Sequence, residues 1–206
     1  MVKHVDSSLS TRQENVAAVT VKELVQQSLA GERASTCAIV EQFEGRVFGL
    51  CYRMLGHRAD AEDATQETFI RVFRSLHRWD PTREFLPWLF AIAGNRCRTM
   101  LSKRSRQAHF RLIDETIEQP EGSGDSSREG DLGEEVQLAL ARLKENHRLA
   151  FVLFHDQELS YSEIAESLNC PVGTVKTWIH RARKELARWL ARRYPELGKD
   201  HALHEL

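Results

Sequence analysis

The sequence predicts an all-α protein, with two small helical domains joined by a flexible acidic linker and a helix-turn-helix in the second domain. Apolar residues recur at helical spacing along most of the 206-residue chain, and the alternation typical of strands is missing. A polar stretch near the middle interrupts this pattern. With 41% hydrophobic and 29% charged residues, the composition is that of a soluble globular protein.

Four helices are predicted in the first domain, residues 21–111. Residues 1–20 are polar and are expected to form a mobile N-terminal extension. Glycines 31 and 56 are natural helix stops, and a turn with Pro81 separates the last two helices. The predicted helices span residues 21–30, 34–55, 59–76 and 85–105.

The charge distribution changes sharply after the fourth helix. Residues 96–111 contain six basic residues and no acid, whereas residues 112–135 contain nine acids and one base. The net charge of −1 hides this division. Residues 114–134, DETIEQPEGSGDSSREGDLGE, are rich in Gly and Ser and offer no apolar face that could offset the entropy of ordering. Residues 112–134 are therefore predicted to be the linker.

A helix-turn-helix is predicted within the second domain, residues 135–194, which a tail of residues 195–206 follows. Ser160 precedes Glu163 at capping-box spacing, so a short helix should begin there. The sequence LNC supplies the turn. Pro171 suits the first position of the next helix, since its missing N–H would be unpaired there anyway. Two short helices with a tight turn between them describe the motif.

The second helix of this motif separates into an apolar stripe and a basic stripe at 100° per residue. The apolar side is predicted to be core: Val175, Ile179, Ala182 and Leu186. Small residues near the start and bases further along fit a helix that enters the major groove of DNA. Thr and Lys can contact base edges and phosphates, while Arg mostly holds the backbone. The predicted contacts are Gly173, Thr174, Lys176, Thr177, His180, Arg181, Arg183 and Lys184.

The first domain offers two further polar surfaces. The third helix carries Asp63, Gln66, Glu67 and Thr68, which could form a surface for a protein partner, although acids near a helix N-terminus are favoured by the helix dipole alone. Aromatic rings beside bases and an amide are what single-stranded nucleic acid requires, because rings stack on bases and cations hold phosphates. That combination occurs at Arg78, Trp79, Asp80, Trp88, Asn95, Arg96 and Arg98, followed by the Lys/Arg run. Trp79 and Trp88 could equally be core residues.

No feature of the sequence indicates an enzyme, a metal site or a cofactor. The sequence shows no nucleophile paired with a base, no cluster of metal-ligating residues and no phosphate-binding loop. The four cysteines include no C-x-x-C pair and are expected to be buried thiols in a reducing cytoplasm. The chain lacks an N-terminal apolar run and any stretch as long as a membrane span, so a cytoplasmic protein is expected.

Three stretches together resemble the small, extracytoplasmic-function (ECF) group of bacterial sigma factors in the sigma-70 family. They are DAEDATQETFIRVF, FLPWLFAIAGNRCR and LSYSEIAESLNCPVGTVKTWIHRARKEL, and the resemblance covers about residues 23 to 190 in the family's order. It implies that the first domain is like sigma region 2 and the second like region 4. Thr99 and Ser102 depart from the family, which often has an acid and a base there.

The resemblance implies a division of labour between the domains. The helix at 59–73 would dock on the clamp of core RNA polymerase, and its polymerase-binding residues would be Asp60, Asp63, Gln66, Glu67 and Arg71. The turn at 77–88 and the helix at 88–104 would melt and read the promoter −10 element. The residues for that step would be Arg78, Trp79, Asp80, Trp88, Asn95, Arg96, Arg98, Lys103 and Arg104. The recognition helix would read the duplex −35 element, and many such proteins are held silent by an anti-sigma factor, often in the membrane.

The linker length fits a role that needs a large partner. A relaxed 21-residue segment spans about 25 Å, whereas duplex sites two turns apart are separated by about 70 Å. The linker must therefore be stretched, and core polymerase would hold it. The isolated chain is accordingly expected to bind promoters poorly.

Two other interpretations remain open at this level. A free-standing helix-turn-helix regulator that binds an operator as a dimer would explain the last 60 residues but leave the first 110 without a role. A protein whose helices bind only other proteins would leave the basic recognition helix unexplained.

Overall fold

The computed structural model describes residues 19–114 and 132–194, which form eight α-helices, one short 3₁₀ turn and the segments that connect them, and which contain no strand. The helices are α1 Val21–Leu29, α2 Arg33–Leu55, α3 Arg58–Ser75, α4 Phe85–Asp114, α5 Leu132–Arg142, α6 Glu145–His155, α7 Tyr161–Ser167 and α8 Val172–Arg193. The 3₁₀ turn Leu76–Arg78 follows α3. The all-α prediction is confirmed. We call residues 19–114 the first half and residues 132–194 the second half.

Helix α2 forms the centre of the first half, where it packs against α1, α3 and α4. Its predicted inner face is fully or almost fully buried, at Ile39, Phe43, Val47, Leu50 and Met54. The helix ends at Gly56, whose φ of +73° is a left-handed conformation that glycine adopts without steric cost. Helical spacing of apolar residues therefore predicted this helix correctly.

Helices α3 and α4 complete the core of the first half. Ala61, Ala64 and Val72 of α3 are fully buried, as are Leu89 and Ala93 of α4. Helix α4 continues to Asp114, so its predicted end at residue 105 is wrong. Residues 106–113 include Gln, Ala and two arginines and no Gly or Pro, which favours helix, and cations suit a helix C-terminus.

The helix-turn-helix of the second half forms as predicted. Ser160 and Glu163 make a reciprocal capping box, with the Glu163 N–H 3.2 Å from Ser160 Oγ. Asn169 adopts φ +48° in the turn, a conformation that Asn tolerates better than most residues. Pro171 is the N-cap of α8 rather than its first helical residue, and its carbonyl accepts from Thr174 and Val175.

Three segments of the chain lie outside the described residues. They contain most of the predicted N-terminal extension, the greater part of the predicted linker and the predicted tail. Helix α5 begins at Leu132, which is slightly earlier than residue 135, where helical patterning was expected to resume.

Two of the cysteines are core residues. Cys51 and Cys97 are fully buried, as predicted, and Cys170 is half-buried. Cys37 is exposed, so the prediction of a buried thiol is wrong there. None of the helices described here has the length and apolar character that crossing a membrane would require.

Candidate nucleic-acid interface

The outer face of α8 is an exposed polar stripe. Val175, Ile179 and Ala182 anchor the opposite side of the helix in the core of the second half. A Cβ placed on Gly173 would meet no atom within 4 Å, so the start of the helix is open to an approaching surface. The exposed members of the predicted set are Gly173, Lys176, Thr177, His180, Arg181 and Lys184.

Two residues of the predicted α8 set are partly withdrawn from this stripe. Thr174 is half-buried, and so is Arg183. The Arg183 guanidinium lies 5.4 Å from the centre of the Phe154 ring, and its Nε is 3.3 Å from His155 Nε2. Arg183 therefore faces α6 and joins α8 to that helix.

A tyrosine fixes one exposed lysine of the stripe. Lys176 Nζ lies 5.7 Å from the centre of the Tyr161 ring, a distance that favours a cation–π contact. Tyr161 in turn stacks on Phe154 with ring centres 4.8 Å apart. This contact limits the freedom of Lys176 before any DNA is bound.

A histidine close to α8 should make the stability depend on pH. His147 is 8% exposed, and burial, followed by the positive charges of Arg181 and Lys144, lowers its pKa. The unfolded chain takes up this proton near pH 6.5, but the folded chain does so only at lower pH. The contribution to stability is therefore complete above the unfolded pKa, declines as the pH falls below that value, and is lost once the pH has fallen through the lower pKa of the folded chain.

We expect the free energy of unfolding to fall more steeply for the natural chain than for His147→Gln between about pH 7.5 and pH 5.5. Urea denaturation at each pH measures it. Carboxylates with a lowered pKa, such as Glu67, titrate below this range. Both chains contain them, so their effect on stability cancels when the two chains are compared. Equal slopes for the two chains would contradict the assignment.

The turn between α3 and α4 contains a buried tryptophan, and the first part of α4 contains a half-buried one. Trp79 is 9% exposed and packs edge-on against Phe85, with ring centres 5.4 Å apart. Trp88 is half-buried, and its ring centre is 5.5 Å from that of Phe85. Trp79 is thus a core residue here, and only Trp88 offers part of its ring to the surface.

Exposed charges surround these rings. Arg78 and Asp80 are both exposed. The Asp80 carboxylate accepts from the Thr82 hydroxyl at 2.7 Å and from the Thr82 N–H at 2.9 Å, and these bonds lower its pKa. Arg83 lies in the same turn and is also exposed. It was not among the residues predicted to contact DNA.

A groove of about 460 Å³ runs between α3 and α4. Arg96 pairs with Glu67 inside it, and Glu67 also pairs with Arg71 at 2.9 Å. These bonds, the Arg71 hydrogen bond first, lower the pKa of the Glu67 carboxyl. The lining residues are Glu67, Ile70, Arg71, Arg74, Ser75, Ile92, Asn95, Arg96 and Thr99.

The groove joins residues that the sequence assigned to different partners. Glu67 and Arg71 were predicted to contact polymerase, whereas Asn95 and Arg96 were predicted to contact DNA. Ile70, which is 49% exposed, was not predicted to lie at a functional surface. The sequence signal that could have revealed Ile70 is an apolar residue on a helix face that is otherwise polar.

Of three other α3 residues predicted to face a protein partner, two are exposed and one is buried. Asp63 and Gln66 are exposed. Thr68 is fully buried and donates to the carbonyl of Ala64 at 2.6 Å, so its assignment to the polar surface is wrong. Small hydroxyl residues can turn inward in this way because they satisfy themselves on the preceding turn.

Two predicted contact residues are paired with each other. Arg104 forms an ion pair with Asp60 and donates to the carbonyl of Leu55 at 3.3 Å. A guanidinium at this place satisfies a carbonyl that the end of α2 leaves without a helical partner. Lys103, next to it, is exposed.

Comparison with known proteins identifies both halves. Residues 39–107 match the sequence model of Sigma-70 region 2, and residues 133–186 match that of Sigma-70 region 4. The ECF RNA polymerase sigma factor SigW of Bacillus subtilis is 33% identical over 183 residues, which cover 82% of this chain and 96% of that protein.

Solved structures agree with these matches. The structure of CnrH in complex with the cytosolic domain of CnrY is 26% identical, with a TM-score of 0.62, and the similarity covers 83% of this chain and 97% of that one. The sigma factor RpoE, solved with the anti-sigma factor NepR from Bartonella quintana, is 21% identical with a TM-score of 0.61, over 74% of this chain and 94% of that one. The chain belongs to the sigma-70 family of transcription initiation factors and, within it, to the ECF RNA polymerase sigma factors.

Proposed function

We propose that the two halves of this sigma factor read separate promoter elements while core RNA polymerase holds them. The observation that supports this most directly is the pair of exposed polar surfaces, one on α8 and one along the turn and α4. They lie within the matches to region 4 and region 2, respectively. A sigma factor directs core polymerase to promoters and is not an enzyme.

The second half is proposed to bind the duplex −35 element through α8. Thr177 and Lys176 lie near the start of the exposed stripe, where side chains reach base edges, and Arg181 and Lys184 lie where cations meet phosphates. His180 and Gly173 complete the surface that faces the groove. Arg183 and Thr174 are proposed to support it from the margin.

The first half is proposed to open and read the −10 element. Trp88 offers an aromatic edge, Asn95 an amide, and Arg78, Arg98 and Lys103 cations, which together fit an unstacked strand. Trp79, Asp80 and Arg104 are proposed to shape this surface through packing, the turn and the end of α2. Arg96 joins it to the groove beside α3.

The exposed face of α3 is proposed to bind core polymerase. We expect Asp63→Arg to weaken core binding at least tenfold, because a reversed charge in a protein interface meets a like charge or loses its partner. Glu41→Arg, the same change at an exposed position of α2, is the control. Binding of the labelled chain to purified core measures the effect, and equal affinities for both variants would contradict the assignment.

An anti-sigma factor is proposed as a further partner. The RpoE structure was solved with such a protein, and its chain covers most of this fold. We propose that the protein acts in the cytoplasm and can be held near the membrane when its inhibitor is a membrane protein.

Run-off transcription with purified bacterial core polymerase on a pool of promoter fragments tests the proposed function. The chain should start RNA synthesis from a subset of fragments that share two short elements. Failure to support any transcription, or transcripts that start without regard to sequence, would contradict it. A dimeric operator-binding regulator would leave the region 2 match without a role.

A further inference from the structure

Two free cysteines meet inside the core of the first half. Cys51 lies on α2 and Cys97 lies on α4, and these two helices pack against each other. Each cysteine follows a buried residue by one helical turn, Val47 on α2 and Ala93 on α4, so both side chains belong to the same core. Both cysteines are 0% exposed. We call Cys51 and Cys97 the core dithiol.

The two sulfur atoms of the core dithiol are within hydrogen-bonding reach of each other. The Cys97 thiol donates to the Cys51 sulfur, and the Thr65 hydroxyl of α3 lies beside the same sulfur. The contact with Cys97 first, and then Thr65 and the positive charge of Arg96, lower the pKa of Cys51, although burial opposes them. The pKa of Cys97 is raised, because its thiol is bonded to Cys51 and because it is buried. Cys51 is therefore the thiol that more readily becomes a thiolate.

This pairing distinguishes the core dithiol from a single buried cysteine. A lone buried thiol behaves as a small apolar residue. Two thiols that touch across two packed helices also meet the first requirement of a disulfide, which is close approach of the two side chains. Disulfides of cytoplasmic proteins are usually transient and serve catalysis or redox sensing. A bond between Cys51 and Cys97 would accordingly be a reversible one.

We propose that the core dithiol is an oxidation site, at which a peroxide converts Cys51 and Cys97 into a disulfide that joins α2 to α4. In the first step the Cys51 thiolate attacks one oxygen of hydrogen peroxide and the O–O bond breaks. The hydroxide that leaves takes up the proton that Cys51 released and becomes water. The Cys51 sulfur is thereby oxidised to a sulfenic acid, and the peroxide is reduced.

The second step forms the disulfide. The Cys97 sulfur attacks the Cys51 sulfur, the S–S bond forms and the S–O bond breaks. The hydroxide that leaves takes up the Cys97 proton and becomes a second water. Overall, two thiols and one hydrogen peroxide give one disulfide and two waters. A dithiol reductant reverses the oxidation by thiol–disulfide exchange.

A small oxidant can approach the core dithiol along the groove between α3 and α4. Asn95, Arg96 and Thr99 line this groove, and they flank Cys97 along α4. The positive charge of Arg96 acts on both cysteines and favours the thiolate of each. The groove and the arginine therefore serve the step in which the thiolate attacks the peroxide.

Mass spectrometry of a chain with two cysteines tests the proposal. The background Cys37→Ser with Cys170→Ser leaves Cys51 and Cys97 as the only thiols of the chain. The folded chain is treated with hydrogen peroxide and then alkylated in denaturant. We expect most of it to lose two hydrogens, to resist alkylation and to yield a tryptic peptide that joins Cys51 to Cys97. Alkylation of both residues, under conditions that oxidise the exposed Cys37 of the natural chain, would overturn the proposal.

Two matched variants in that background identify the sulfur that attacks first. Cys97→Ser leaves only Cys51, and Cys51→Ser leaves only Cys97, while serine keeps a hydroxyl that can donate to the remaining sulfur. Dimedone traps sulfenic acid. After peroxide treatment we expect at least fivefold more dimedone adduct in Cys97→Ser than in Cys51→Ser, and neither variant can form the internal disulfide. Equal or reversed labelling would contradict the assigned order of attack.

Urea denaturation shows whether the folded chain places the sulfurs for this bond. The disulfide closes a loop from residue 51 to residue 97 and restricts the unfolded chain, so oxidation should raise the urea midpoint by about 1 M. Dithiothreitol should reverse the shift, and peroxide should leave the midpoints of the single-thiol variants unshifted. A disulfide that does not raise the midpoint would refute a preformed site. None of these measurements uses DNA or polymerase, so their failure leaves the proposed function standing.

Discussion

Replacing Arg148 with methionine is expected to lower the free energy of unfolding by about 2–4 kcal/mol. Arg148 is 8% exposed, and it donates to the carbonyls of Met54 and Ala141 at 2.6 Å and to that of Leu143 at 3.4 Å. A methionine fills similar space but leaves the buried carbonyls of Met54 and Leu143 without this donor. Burial of the guanidinium charge is itself unfavourable, and it lowers the pKa of Arg148. Removing that charge offsets only part of the loss of stability.

Urea denaturation followed by circular dichroism measures the Arg148 effect. Arg142→Met provides the control, because Arg142 is an exposed arginine of the same half. Arg148→Lys should fall between the two, since an ammonium cannot span the carbonyls that a guanidinium reaches. An Arg148→Met chain as stable as the Arg142→Met chain would show that the buried hydrogen bonds carry no net stability.

Removing two cations from α8 is expected to cost the most promoter affinity. Each of the two residues is expected to neutralise one phosphate. The double variant Arg181→Ala with Lys184→Ala should therefore reduce the slope of log K against log salt concentration, measured for the polymerase–promoter complex, by about 1.8 in magnitude. The same relation implies a loss of affinity on the order of 50-fold at about 0.1 M salt. The loss should be similar across promoter sequences, because phosphate contacts carry no base information.

The matching control removes the same net charge elsewhere. Lys22→Ala with Arg33→Ala changes two exposed residues of α1 and α2 and should leave the slope unaltered. Filter binding of the holoenzyme to one promoter over a range of salt concentrations gives both slopes. An unaltered slope for Arg181→Ala with Lys184→Ala would remove these residues from the interface.

Local signals in the sequence predicted most of the helices. The buried stripe of α2, the capping box at Ser160 and the left-handed Gly56 all follow from spacing and conformational preference within a few residues. The end of α4 was missed because a change of charge was treated as the end of a helix. Helix propensity and favourable cations near the C-terminus continue the helix to Asp114.

Features that depend on distant contacts could not be predicted in this way. Trp79 has charged neighbours in the sequence and Trp88 has apolar ones, yet Trp79 is buried and Trp88 is only half-buried. Arg104 was assigned to DNA and Asp60 to polymerase, but the structure pairs them. The contact of Gly94 with Leu149 joins residues far apart in the sequence, so no periodicity reveals it.

A crosslinking map of the holoenzyme tests whether the two halves read separate promoter elements. Photoreactive residues placed at Thr177 and at Asn95, one in each half, would be used with core polymerase on one active promoter. We expect Thr177 to crosslink to duplex DNA at the −35 element and Asn95 to the melted non-template strand at the −10 element, about two turns downstream. Crosslinks from both positions to the same site, or the same pattern without core polymerase, would contradict it.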